Sequence, residues 1–139
     1  MKVKVTPQGC LIALQPGDLV QASLQEVFIS QGYPAAWAIG LGVVHQVELG
    51  FFVAQEQRYT KTQLEGSWEL TNLTGNLSLK EGKAFCHSHV SLSGPDFAMR
   101  GGHLFEAVIH VAGEFFLAPV QHPLTRTLDQ ATGLFLWDL

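Results

Sequence analysis

Charge is scarce in this chain. Of 139 residues only 14% are charged, with eight Lys and Arg against twelve Asp and Glu and a formal net charge of −4. A protein that neutralises many phosphates needs a basic stripe or patch. None is present, so any contact with DNA has to be local or borrowed from a partner. Cysteine is scarcer still: Cys10 and Cys86 stand 76 positions apart by number and form neither a CxxC motif nor a zinc-ribbon pattern. Two free thiols and no recognisable secretory signal lead us to expect a cytoplasmic protein. The longest apolar run, AAWAIGLGVV from Ala35, is broken by glycines and too short to cross a bilayer, so no membrane span is expected.

Several chemical signatures are missing as well. There is no GxSxG nucleophile elbow, GLG at residues 40–42 lacks the spacing of a dinucleotide fingerprint, and no phosphate loop occurs. The aromatics Phe51, Phe52, Trp68, Phe115 and Phe116 lie in strand-like runs without interleaved Arg or Lys. They are expected in the core or a subunit interface rather than on a base-stacking platform.

What is present is apolar: 47% of the residues are hydrophobic. That is enough for one domain, expected to span residues 1–139, with apolar surface left over for partner subunits. The opening KVKVTPQGCLIALQPGD reads as one or two strands and a turn. Asp18 then stands as a helix N-cap, and Leu19, Val20, Leu24, Val27 and Phe28 recur at helical steps, so an amphipathic helix is expected over residues 18–30. Downstream the chain is strand-like, with hairpins expected at Thr74-Gly75-Asn76 and at Lys80-Glu81-Gly82-Lys83. The expected class is α+β (α/β): a mainly antiparallel sheet packed with one N-terminal helix.

One stretch carries chemistry, HSHVSLSGPDFAMRGGHL at residues 87–104. Side chains alternate along a strand, so His87 and His89 share a face about 7 Å apart along the chain, while Cys86 and Ser88 point the other way. A turn at Gly94-Pro95-Asp96 can return the chain so that His103 lies beside the first strand, and the Gly101-Gly102 pair allows close backbone approach. Three imidazoles without a fourth protein ligand suit zinc with an open position. Spacing alone leaves a second reading open, that of ordinary strand histidines beside an ordinary turn. His45, His110 and His122 lack such a pattern and are expected to be structural or solvated. Glu69 and Glu106 sit in apolar strand runs, where each could make a structural hydrogen bond, orient a ligating histidine or act as a base on bound water.

At these residues the sequence resembles the plants and prokaryotes conserved domain, which stands alone in bacteria and archaea and is joined to AT-hook segments in plant nuclear proteins. LQPGDLVQASLQEV resembles the family's strand, Gly-Asp/Glu and helix. GSWELTNLTGNLS is similar to its Gly-aromatic-Glu and Leu-Ser/Thr-Gly segment, and HSHVSLSGPDFAMRGGHL to its His-x-His to Gly-Gly-His signature. The resemblance implies a homotrimer, a metal usually taken as zinc on His87, His89 and His103, and a regulatory or DNA-binding role. The chain departs from the plant members in three places. It has no Arg-Gly-Arg-Pro hook, Ser67 stands where they have arginine, and the glycine after GGHL is replaced, the run reading Phe105-Glu106-Ala107. Three functions follow as expectations: a regulatory or DNA-associated trimer, a zinc enzyme activating water against a small polar substrate, or a trimer that binds a small molecule without chemistry.

Overall fold

The alternating start of the chain forms two antiparallel strands, β1 (Lys2–Thr6) and β2 (Gly9–Leu14), in a computed structural model that describes residues 1–139. In β2 the period-two pattern is clean: Cys10, Ile12 and Leu14 are buried while Leu11 and Ala13 are exposed. The helix α1 follows at Val20–Ser30 and buries Val20, Leu24, Val27 and Phe28 of the expected stripe, while Leu19 stays 44% exposed. Its start differs from the expected one. Leu19 occupies the N-cap position with no side-chain bond. Asp18 instead accepts the backbone N–H of Gln15 at 2.8 Å, closing the Pro16-Gly17 turn. The free N–H groups of Gln21 and Ala22 donate to the Glu106 carboxylate at 2.7 and 3.2 Å, so the cap comes from a residue 85 positions away.

The rest is strand: β3 (Ala35–Val53), β4 (Arg58–Leu64), β5 (Trp68–Lys80), β6 (Lys83–Ser93), β7 (Met99–Val120), β8 (Thr125–Leu128) and β9 (Phe135–Trp137), with one 3-10 turn at Ala54–Glu56. The turn between β5 and β6 lies where the sequence places it. Glu81 and Gly82 both have positive φ, and Lys80 faces Lys83 across the closing pair, as a two-residue hairpin demands. The other expected hairpin does not exist. Thr74-Gly75-Asn76 runs straight through β5, paired with β3 on one side and β6 on the other. A Cβ on Gly75 would stand 2.6 Å from the Ser88 Cβ and 2.7 Å from the His87 carbonyl oxygen. This glycine permits close strand packing rather than a turn.

The two long strands, β3 and β7, are antiparallel to each other through most of their length, with register shifts near Gly42–Val44 and His45–Leu49. Such bulges bend a strand and increase its twist, which lets β3, β5, β6 and β7 pair in a closed ring: β3 with β5, β5 with β6, β6 with β7 and β7 with β3. All of these pairs are antiparallel; the only parallel pair is the short β5–β8 contact. With one helix packed on β7, β6 and β3, the architecture is a single α+β domain. Leu73, Leu77, Ile109 and Leu117 are fully buried in its core, and truncating any one to alanine should cost about 2–5 kcal/mol.

One face of the sheet carries no helix. The registers line up Leu11, Phe116, Ile39, Thr74 and His89 across β2, β7, β3, β5 and β6 in one row. Leu11 is 50% and Ile39 54% exposed, and Trp37 and Leu41 on β3 are exposed on the same side. The histidine strand therefore belongs to the uncovered face. Of the aromatics expected inside or at an interface, Phe115 is in the core, whereas Phe51 is 72% exposed.

Candidate metal centre

Strand alternation places the three histidines. On β6, His87 faces Asn76 and His89 faces Thr74 of β5, both on the side that carries no helix. Cys86 and Ser88 turn inward, where Ser88 Oγ donates to Gln21 Oε1 of the helix at 3.2 Å. Burial, and then the nearby Glu106 charge, push the Cys86 thiol up to about 12, so it offers no thiolate. The connection after β6 is a tight loop. The N–H groups of Gly94 and Phe97 donate to the carbonyls of Ala98 and Gly94, and Asp96 accepts the Ala98 N–H at 3.0 Å. The chain thus returns as β7 with His103 directly opposite His89.

The glycine pair makes this return possible. At its start β7 is squeezed between β6 and β3, and a Cβ on Gly101 would meet the Val90 carbonyl oxygen at 2.5 Å. One on Gly102 would meet that of Gly50 at 2.9 Å. Both obstacles are backbone and cannot swing away.

The three imidazoles converge. Ring centroids lie 5.2 Å apart for His87 and His103, 5.3 Å for His87 and His89, and 5.6 Å for His89 and His103. One nitrogen from each falls within 4.8 Å of the others. His103 is 9% exposed, and its Nδ1 is buried with no hydrogen-bond partner. A buried nitrogen without a protein partner is one that an ion or a water would satisfy. Burial first, and then neighbouring positive charge, hold His87 and His103 down to about 4. Neutral imidazole is the form that coordinates a metal. Tyr59 and Phe105 wall the His103 ring at centroid distances of 4.9 Å each. Convergence, neutrality and an unsatisfied nitrogen all fit a divalent metal.

The other candidate residues lie elsewhere. Glu106 lines the neighbouring cleft, but its oxygens accept the N–H groups of Gln21, Ala22 and Ala107. Glu69 is exposed on β5 opposite Val43 and Ser93, outside the histidine cluster. His122 is exposed. His45 and His110, which showed no partner in the sequence, face each other across β3 and β7 with centroids 4.8 Å apart, and His110 Nδ1 lies 2.9 Å from Ser67 Oγ. The 65 positions from one to the other hide this pair from any local pattern.

A feature the sequence did not announce adjoins the cluster. Ladder pairing between β6 and β7 stops at His89–His103. Beyond it the strands part, and a cleft of about 950 Å³ opens, lined by His87, His103, Phe85, Arg126 and Trp137 among others. One wall is the β8–β9 hairpin. Arg126 is 8% exposed and donates to Ser78 Oγ at 2.8 Å, the Phe135 carbonyl at 2.8 Å and Asn76 Oδ1 at 2.7 Å. Nothing in TRTL distinguishes that arginine from a surface one.

Comparison with known proteins agrees with this architecture. A metal-containing protein from Archaeoglobus fulgidus is 33% identical, with a TM-score of 0.87 over 99% of this chain and 97% of that one. A plant- and prokaryote-conserved (PPC) protein from Pyrococcus horikoshii is 31% identical, with a TM-score of 0.85 over 93% and 90%. A Ralstonia eutropha JMP134 protein described as a "putative DNA-binding protein" is 26% identical, with a TM-score of 0.93 over 99% and 96%. No curated protein matches the chain significantly. The model of the Plants and Prokaryotes Conserved (PCC) domain matches residues 2–121, taking in the helix, the long strands and all three histidines, and the chain belongs to that family.

Proposed function

We propose that this chain is a cytoplasmic, homotrimeric regulatory module that holds zinc on His87, His89 and His103 and associates with DNA only as an assembly. The observation that carries the metal is the convergence of one nitrogen from each of three imidazoles within 4.8 Å of one another, on a cluster whose most buried member, His103, also has an unpartnered Nδ1. The description of the Archaeoglobus relative as metal-containing supports it. Trimer formation is supported by the uncovered sheet face, where Leu11, Trp37, Ile39 and Leu41 leave apolar area that a neighbouring copy would bury. The DNA component draws on the description of the Ralstonia neighbour. A net charge of −4 per chain restricts it to weak, salt-sensitive contacts.

Zinc on three imidazoles keeps one position open, where it can act as a Lewis acid or hold a ligand. Such an ion lowers the pKa of its own bound water, so in hydrolysis a nearby base would assist without being required. Neither Glu106, occupied by three backbone donors, nor the exposed Glu69 supplies one.

Metal content and native mass, measured on protein purified without an affinity tag, test the reading. One zinc per chain in a trimer is the expected result, and a metal-free monomer would overturn it. The DNA component is tested separately by gel shift on AT-rich duplex across a salt series. Absence of binding even at low salt removes that component and leaves the metal site standing.

A further inference from the structure

We propose that the cleft between β6 and the β8–β9 hairpin binds a small organic anion with an apolar body, its oxyanion held by Arg126 and Lys80 and its body against Phe85, Phe135 and Trp137. The first observation is an uncompensated buried charge. Arg126 is 8% exposed, yet the three ion pairs of the molecule are Met1–Asp18, Arg58–Glu56 and Lys61–Glu48, none of which includes it. Its three acceptors are neutral oxygens on Ser78, Asn76 and Phe135. A buried guanidinium gains much less from neutral acceptors than from an anion. Its fork has five N–H groups, and the three acceptors leave others free while fixing its orientation.

The surroundings point to the same ligand. Lys80 Nζ stands 3.9 Å from the Phe135 ring centroid and 5.5 Å from that of Phe85, with no carboxylate partner. The only carboxylate lining the cleft is Glu106, whose oxygens are already taken by backbone N–H groups. The space is therefore cationic and apolar, and about 950 Å³ is room enough for a small organic molecule. Arg126, Phe135 and Trp137 lie beyond residues 2–121, the span matched to the family. The three histidines and Lys80 thus lie within the matched span, whereas Arg126 and the aromatic residues Phe135 and Trp137 follow it. The inference adds a ligand class to the regulatory reading but does not rest on the ion, so the two can fail separately.

Calorimetric titration of the full chain, as purified and after chelation, tests it with three probes: 3-phenylpropanoate, its neutral amide, and phenyl phosphate. The carboxylate is expected to bind, the amide about tenfold or more weaker, and chelation to leave much of the carboxylate's affinity. Phenyl phosphate against 3-phenylpropanoate decides which oxyanion the fork prefers. Arg126→Gln and the more exposed Lys80→Gln should each weaken the anion and leave the amide unchanged. The wild-type comparison of acid with amide stands even if Arg126→Gln does not fold. Equal binding of acid and amide, or binding of neither acid, overturns the proposal. So does affinity that survives Arg126→Gln but vanishes on chelation. Loss of the oligomer in Arg126→Gln with anion binding intact would assign the missing counter-charge to another copy of the chain, which also overturns it.

Discussion

Two groups of histidines share strand β7, and they differ in what surrounds them. His45 and His110 stack 4.8 Å apart, but they are only two, His110 is exposed, and its Nδ1 has Ser67 as a partner. His87, His89 and His103 have centroids slightly farther apart, yet they bring three nitrogens together, and the most buried ring, that of His103, has an Nδ1 without a partner. Ring proximity is therefore a poor guide to a metal site. The number of converging donors and an unsatisfied nitrogen separate the two groups, because a pair with solvent and a hydroxyl at hand gains little from an ion.

Substitution should break this comparison most sharply. His103→Ala removes one of the three proposed ligands, and zinc affinity by competition titration should fall on the order of 100-fold or more, whereas His110→Ala should leave metal content unchanged. Chelation should separate the two groups through stability. With zinc at a hundredfold excess over its Kd, the folded state gains about 3 kcal/mol. Thermal unfolding should therefore fall on chelation in the wild type and in His45→Ala, and stay put in His103→Ala. A smaller effect is expected from the backbone. Gly101→Ala drives a Cβ against the Val90 carbonyl oxygen, at about 1–3 kcal/mol by urea denaturation, and should also weaken zinc binding by displacing His103. The smallest belongs to the pair without a metal: Ser67→Ala removes the His110 partner and should cost about 1 kcal/mol or less, with metal content unaltered.

The legible part of the site was local. His-x-His fixes a shared face by alternation, and Gly-Pro-Asp followed by Gly-Gly-His contains both the turn and the clearance that return His103 to the cluster. The helix stripe was equally readable, since its burial follows from spacing within eleven residues. Where the sequence misled, a residue played a part set from far away. Asp18 has the chemistry of a cap, but Glu106 reaches the helix N-terminus instead and leaves Asp18 to close the preceding turn. Gly75 has the composition of a turn, but Ser88 and His87 press on it from the next strand. Arg126 gave no signal, because its role depends on a hairpin folding over Asn76 and Ser78, some fifty residues earlier.

The sequence by itself determined the fold class, the inward and outward faces of β6, the three histidines as a set, and the glycines that admit the third. Each follows from period-two geometry or from the missing Cβ of glycine, which act over a few residues. Tertiary structure decided the closed ring of β3, β5, β6 and β7, the pairing of His45 with His110, the capping of the helix by Glu106, and the cleft that ends at Arg126. These depend on the register of two long bulged strands, where a shift of one residue would turn every side chain to the other face. That register is fixed by which side chains bury together across the whole sheet, and no short stretch of sequence contains it.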